Sequence, residues 1–392
     1  MTERNLNPSS QATPIFRTLI FIAILGATTL VLFSCSQPQP THEQPTSTAT
    51  FPNAPYPPSA VIEEITWDWS TLSQAAPGSD LWPVTWAADN NIYTAWGDGG
   101  GFNGTNRDGR VALGFARIQG SPENYVGINI NGGMDAEFPP AFPGRGKTVG
   151  LLSVQGVLYA WINMQNSDVP AIKLAWSSDL GATWEVADWE FSSAAFAPGT
   201  FLQFGRDYAQ ARDDYIYFYG GRWGTVDTDV YLGRVLIERI KDPSHYEYFS
   251  GLTGNGIPLW SSDLEARRPV FADPNSTEPT GALETQVVFN PKLDRYILTT
   301  YHGGPGALGV FDGPEPWGPW TTVYYVNDFG GMTSGGEGLT SSFPVKWISD
   351  DGLTMWNVFS AWGDGAEEGV NGHDRFNLVR VTLKLRSENG NQ

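Results

Sequence analysis

Residues 78–99 read GSDLWPVTWAADNNIYTAWGDG: an apolar run, a turn of Asp and Asn, then a second run rich in Tyr and Trp that ends on Gly-Asp-Gly. Short alternating runs bounded by turn residues mark strands, and two of them across such a turn make a hairpin. The pattern recurs in units that start near Asp80, Lys147, Phe204, Glu284 and Ser341. Their spacing of roughly 55 to 80 residues suits propeller blades with long loops. Residues 94–100, TAWGDGG, return as SAWGDGA at 360–366, which places Trp96-Gly97-Asp98-Gly99 and Trp362-Gly363-Asp364-Gly365 at the same point of the first and last units. No stretch after residue 60 keeps a 3.6-residue apolar period. The expected fold is therefore all-β, a five-bladed β-propeller over residues 61–385 followed by a disordered tail, 386–392. Candidate strands include Trp82–Ala87, Thr148–Val154, Tyr208–Arg212, Glu284–Asn290 and Val345–Ser349. The one helix expected lies near Leu236–Lys241 and extends through Ser244–Phe249.

The first 34 residues are of another kind. Arg4 and Arg17 precede an apolar run from Thr18 to Phe33, which ends on Leu32-Phe33-Ser34-Cys35. That order is the layout of an export signal, and its ending resembles a lipobox, in which the cysteine is diacylated and becomes the new N-terminus. The alternative is an uncleaved anchor helix, since the run is near the lower length limit for spanning a bilayer. Cys35 is the only cysteine, so no internal disulfide competes for it. Residues 35–60 are mostly Pro, Thr, Gln and Ser and read as a disordered tether. The expected location is the bacterial cell envelope, lipid-anchored and outside the cytoplasm.

With 23 Lys and Arg against 42 Asp and Glu, the net charge is −19 and no basic run occurs. This excludes nucleic acid as a partner and leaves the membrane only through the lipid anchor. A polysaccharide or oligosaccharide fits better, because the aromatic side chains could stack on sugar rings, and the protein is expected to be a monomer. No phosphate loop, zinc helix or G-x-S-x-G elbow occurs, and the histidines show no metal-ligand spacing. No metal or cofactor is expected. Calcium stays open only through the acidic, Gly-rich stretch Asp98–Asp108, which lacks the alternating ligands of a calcium loop.

Carboxylates are what remains for an enzyme. Glycoside hydrolysis needs two, one protonated to assist the leaving group and one ionised as base or nucleophile. The inner strands of a propeller start around one pocket, which makes Asp80, Arg206-Asp207, Glu284 and Glu337 candidates, with Asp98 and Asp364 at the ends of second strands. The plain alternative for each Asp is a turn cap. His302 and His373 are candidate pocket donors, and Trp82, Trp86 and Trp223 are candidate sugar platforms. Ser177 to Trp184, SSDLGATW, fits the Asp-box pattern of sialidases, whose role is structural.

The stretch quoted first is similar to the opening of the bacterial domain-of-unknown-function family 4185, where an Asp-Leu precedes the first strand and a Gly-Asp follows the second. The resemblance continues through DVYLGRVLIERIKDPSHYEYFSG, RPVFADP, LETQVVFNPKLDRYILTTY and ISDDGLTMWNVFSAWGDG, spanning about residues 75 to 383. It implies a five-bladed propeller and, since some members are endo-acting arabinan hydrolases, a furanoside-cleaving role. The pattern also looks like that of the fructosidase and arabinanase propellers. By that likeness Asp80 would be base or nucleophile, Asp207 with Arg206 the stabilising pair, and Glu284 the acid. Two departures stand out: Gly99 where many relatives have Thr, and Thr285 where the fructosidase pattern has Cys. A non-catalytic glycan-binding or scaffold lipoprotein is the rival reading.

Overall fold

The structure, a computed structural model, describes residues 53–164, 171–222, 228–277, 284–304, 306–333, 339–361 and 369–387. The fold is a five-bladed β-propeller, and the N-terminal strand β1 (Ile62–Ala75) belongs to its last blade. Blade 1 is β2 (Asp80–Trp86), β3 (Ile92–Gly97), β4 (Leu113–Gln119) and β5 (Val126–Asn131), paired in that order. Blade 2 holds β6 (Lys147–Val154), β7 (Val157–Met164) and β8 (Ala171–Ser177), with the two-residue strands β9 (Glu185–Val186) and β10 (Phe191–Ser192) both on β8.

Blade 3 is the largest. It runs β11 (Ala197–Phe201), β12 (Tyr215–Gly221), β13 (Asp229–Leu236), β14 (Glu247–Leu252), β15 (Pro258–Ser261), and β16 (Pro269–Ala272) pairs back on β13. Blade 4 is β17 (Gln286–Asn290), β18 (Arg295–Tyr301), β19 (Leu308–Gly313) and β20 (Thr321–Val326). Blade 5 is β21 (Leu339–Ser342), β22 (Thr354–Ala361), β23 (Phe376–Leu385) and finally β1. Every hydrogen-bonded neighbour within a blade is antiparallel, so the connections alternate between the two ends of the ring.

The strands form where the sequence is β-branched, aromatic and bounded by turns. The runs Val287–Phe289 and Leu151–Leu152 are buried because they lie between neighbouring blades. Large aromatics fill those gaps: Trp161 of blade 2 stacks on Phe201 of blade 3 at 5.1 Å, and Trp67 of β1 packs on Tyr324 of blade 4 at 4.4 Å.

Three local expectations are corrected. The inner strand of blade 3 is Ala197–Phe201 rather than Tyr208–Arg212, and Arg206–Tyr208 is a single 3-10 turn with Asp207 and Tyr208 at φ 51° and 64°. The inner strand of blade 5 is Leu339–Ser342, while Val345–Trp347 is a 3-10 turn behind Pro344. The helix expected from Leu236 breaks into two turns, Ile237–Arg239 and Pro243–His245, because Asp242 caps Ser244 N (3.0 Å) just before a proline. The chain then pairs as β14.

The folded unit also begins earlier than the tether's composition suggests. Tyr56 packs against Phe271 and Phe311 at 5.2 and 5.8 Å, and Ser59 N donates to Thr322 O at 2.8 Å.

Strand β1 closes the ring, with Ile65 opposite Leu383 and Trp67 opposite Val381. Burial of Ile62, Ile65 and Trp67 contributes about 1.5–3 kcal/mol each, which together rivals the whole net stability of an ordinary domain. A chain starting at Ala76 is therefore expected to lose soluble expression and cooperative thermal unfolding, whereas one starting at Asn53 keeps both.

Candidate active site

In every blade the inner strand starts at the same end of the ring, so Asp80, Lys147 and Ala197 head their strands there, and Glu284 stands two residues before β17. These heads enclose a cavity of about 150 Å³ lined by Asp80, Asp98, Lys147, Asn163, Pro198 and Glu284, among others. Asp80 and Glu284, from two different blades, are each 7% exposed. Buried carboxyl groups that meet at one cavity are a recognisable functional arrangement, since burial in structural positions is normally avoided.

Asp80 is held by unusual backbone. Leu81 and Trp82 have φ of 75° and 59°, a left-handed conformation that is costly for residues with a Cβ. The register of β2 on β3 slips between Leu81 and Val84, which is a β-bulge. It turns the Trp82 ring into the core, stacked on Trp96 at 5.8 Å, with its indole donating to Ser79 O at 3.0 Å. Gly97 lies directly opposite Asp80, and a Cβ there would overlap the Asp80 Oδ1 atom. The Trp96-Gly97-Asp98 motif thus supplies a core ring, an empty place for one carboxylate and a second carboxylate.

Asp98 meets two cations: Lys147 Nζ at 2.8 Å and Arg110 Nη2 at 3.3 Å. Lys147 also donates to Ala112 O at 2.9 Å. The loop that follows Asp98 is a fixed wall, because Asn129 Nδ2 donates to Gly100, Phe102 and Met134 carbonyls and Ser79 Oγ accepts from Gly101 N. Asp108 in that loop accepts from Thr105.

From blade 5 comes a residue the sequence reading missed, Asp374. Its carbonyl accepts from Gly78 N at 2.7 Å and so braces the turn ahead of Asp80. Burial pushes its carboxyl up and Asp98 adds to the rise, against the pull of His373, Arg110 and Lys147. The signal available was an Asp-Arg pair just ahead of a buried strand, which singles out nothing by itself. His373 lies beside it, Nε2 3.4 Å from Asp374 Oδ2.

On the fourth blade, Gln286 ties the cavity together: its Nε2 donates to Val149 O at 2.9 Å and its Oε1 accepts from Thr200 at 3.1 Å. His302 follows β18 at the same end of the ring but is buried, stacked on Tyr325 at 4.0 Å with Nε2 2.9 Å from Asn327 Oδ1. Burial pushes its imidazole down, so it stays neutral near pH 7 despite Asp273 at 3.9 Å.

Several candidates fall elsewhere. Asp207 and Arg206 follow β11 and lie at the opposite end of the ring, where Asp207 accepts from Ser153 Oγ (2.7 Å) and Gly156 N (3.1 Å) in the β6–β7 turn. Arg206 donates to Ala88 O in the β2–β3 turn. Both cap turns because the third inner strand starts at Ala197, one strand earlier than expected. Trp82 is core, and Trp86 sits at the far end of β2 with its indole on Asn90 Oδ1 at 3.0 Å. Asp179 accepts from Thr183 N and Oγ1 within its own hairpin. Cys35, Trp223, Glu337 and Asp364 lie outside the described residues.

The sequence profile of a domain of unknown function, DUF4185, matches residues 156–372, more than half of the chain. The chain belongs to the DUF4185 family. Among solved structures, this DUF4185 chain is similar to a "putative hydrolase" from Bacteroides ovatus ATCC 8483, with TM-score 0.50 and 13% identity over 78% of this chain and 85% of that one. A GH32 β-fructofuranosidase from Bombyx mori, solved as a mutant with sucrose, gives 0.46 at 11% identity, covering 81% and 64%. An α-L-arabinofuranosidase from Podospora anserina in complex with cellotriose gives 0.42 at 8%, covering 79% and 91%. At such identities the likeness is one of fold. No curated protein matches the DUF4185 chain in sequence.

Two outcomes follow from this geometry. Asp207→Ala removes bonds at the end away from the cavity, so it is expected to cost about 1–2 kcal/mol in denaturant unfolding while leaving the cavity's lining unchanged. Asp374 binds its proton more tightly folded than unfolded, so its contribution favours the fold at acidic pH and is lost as pH rises through its raised value. Thermal unfolding of Asp374→Asn should accordingly show a smaller loss of Tm than wild type between about pH 4 and pH 7.

Proposed function

We propose that this chain is a glycoside hydrolase of the cell envelope, anchored through Cys35 and acting on an extracellular polysaccharide, with a furanoside such as arabinan as the substrate class. The observation that carries the reading is the meeting of Asp80 and Glu284, both buried and from separate blades, at one cavity. Hydrolysis of an acetal needs a proton for the leaving oxygen and an ionised carboxylate for water or the anomeric carbon. Glu284 serves as the acid and Asp80 as base or nucleophile. Asp98, paired with Lys147 and Arg110, takes the third place that the family resemblance gave to Asp207.

The surroundings support such chemistry. The cavity is lined by Trp161, Ile172 and Pro198 as well as by polar groups, which limits water and strengthens charge interactions inside. The furanoside class rests on the family resemblance alone, and the anchor on the lipobox-like ending at Cys35.

Release of reducing ends from arabinans, fructans and cell-wall polysaccharides by residues 36–392 tests the reading. Asp80→Asn and Glu284→Gln should each lower kcat by roughly 10²–10⁴-fold with binding retained. A glycan bound equally by all three proteins and cut by none would replace the enzyme with a binding lipoprotein.

A further inference from the structure

Lys147 lines the same cavity as Asp80. Lys147 and Arg110 share the single carboxylate of Asp98, and burial raises the carboxyl of nearby Asp374. The Lys147 stem lies close to Asp80: a Cβ built on Gly97 would overlap Asp80 Oδ1 and stand 3.0 Å from Lys147 Cδ, so carboxylate and lysine stem flank one point. The ammonium is fixed in place by Asp98 Oδ1 and Ala112 O, and the Lys147 side chain is only 20% exposed, which limits screening by solvent.

Other charged groups approach Asp80 from each packed element among the described residues. Asp98 follows β3, Arg110 lies in the β3–β4 loop, Glu284 precedes β17, and His373 and Asp374 precede β23. Blade 5 presents an uncharged neighbour, Thr340, whose hydroxyl donates to Leu81 O at 2.8 Å. Of the cations, Lys147 alone heads an inner strand.

We propose that Lys147 is a positioning residue that keeps Asp80 ionised and thereby fixes the division of labour, Asp80 as base or nucleophile and Glu284 as proton donor. The proposal rests on the hydrolase reading for its catalytic meaning. Its electrostatic content stands apart from turnover, because a neighbouring cation lowers a carboxyl pKa whether or not a glycan is cut. A lysine in this place also differs from a carboxylate there, which would raise Asp80 by like-charge repulsion.

The test is a ¹³C-carboxyl NMR titration of aspartate-labelled protein, with Asp80→Asn used to assign the Asp80 signal. In wild type the Asp80 midpoint is expected below the ordinary aspartate value, about one unit or more higher in Lys147→Met, and restored in Lys147→Arg. Lys147→Gln gives the same reading if the methionine variant does not fold. On a substrate that is cut, the acidic limb of kcat/KM should move up with the Asp80 midpoint, since a base must be ionised to act. An Asp80 midpoint above the ordinary value in wild type, or one unmoved in a folded uncharged variant, overturns the role of Lys147. A wild type that cuts no glycan while the Asp80 midpoint responds as expected removes the hydrolase reading and leaves the electrostatic pairing standing.

Discussion

The inner edge of each blade is the constraint on which the molecule turns. A blade pairs its strands from β2 to β5 or from β17 to β20, and its first strand keeps one row of backbone groups with no strand to meet them. Buried and unpaired, those groups would be costly. Side chains and backbone of adjoining blades answer them: Thr340 donates to Leu81 O, Gln203 to Leu151 O, Gln286 to Val149 O, and Ser153 N donates to Thr85 Oγ1. The axis of the ring is consequently polar although the gaps between blades are aromatic. A polar axis is the place where carboxyl groups can be buried and still be solvated by protein, and Asp80 and Glu284 sit at its mouth.

The same arrangement separates the two ends of the ring by chemistry. At one end, hairpins close tightly on Asp side chains that accept from the backbone two or four residues on, as at Asp89, Asp179, Asp213 and Asp351. At the other end, longer connections such as 98–112 and 132–146 rise around the inner-strand heads, and Asp98, His302 and Asp374 stand on these connections. The acidic composition is therefore divided between carboxylates that hold turns and carboxylates that meet at the cavity. Only position in the ring tells the two apart.

That division explains what the sequence could and could not disclose. Alternation and turn residues carried the fold, since a period of two bounded by Gly and Asn has few other solutions. Asp80 and Glu284 were legible because each precedes an apolar run that had to be an inner strand. Asp207 was misplaced because Ala197-Pro198-Gly199 reads as a turn, yet it opens β11; a proline is tolerated there because an inner strand has an edge that needs no donor. Trp82 is core rather than a sugar platform because the bulge at Leu81 and Trp82 turns its ring inward. Lys147 carried no motif of its own. Its importance appears only when Gly97 brings β3 and the head of β6 to the same side of Asp80.

Rigidity and strain are two sides of this one arrangement. Two successive left-handed residues cost roughly 1–3 kcal/mol each, and they persist because the Trp82 ring is locked between Trp96, Phe102 and Phe376. That packing fixes the backbone that carries Asp80, Gly97 leaves room for its carboxylate, and the Gly78–Asp374 bond braces the turn ahead of it. An exposed aspartate would lose such orientation to side-chain entropy each time it had to act. Here the orientation is set during folding, and the energy that sets it comes from aromatic burial between blades 1 and 5.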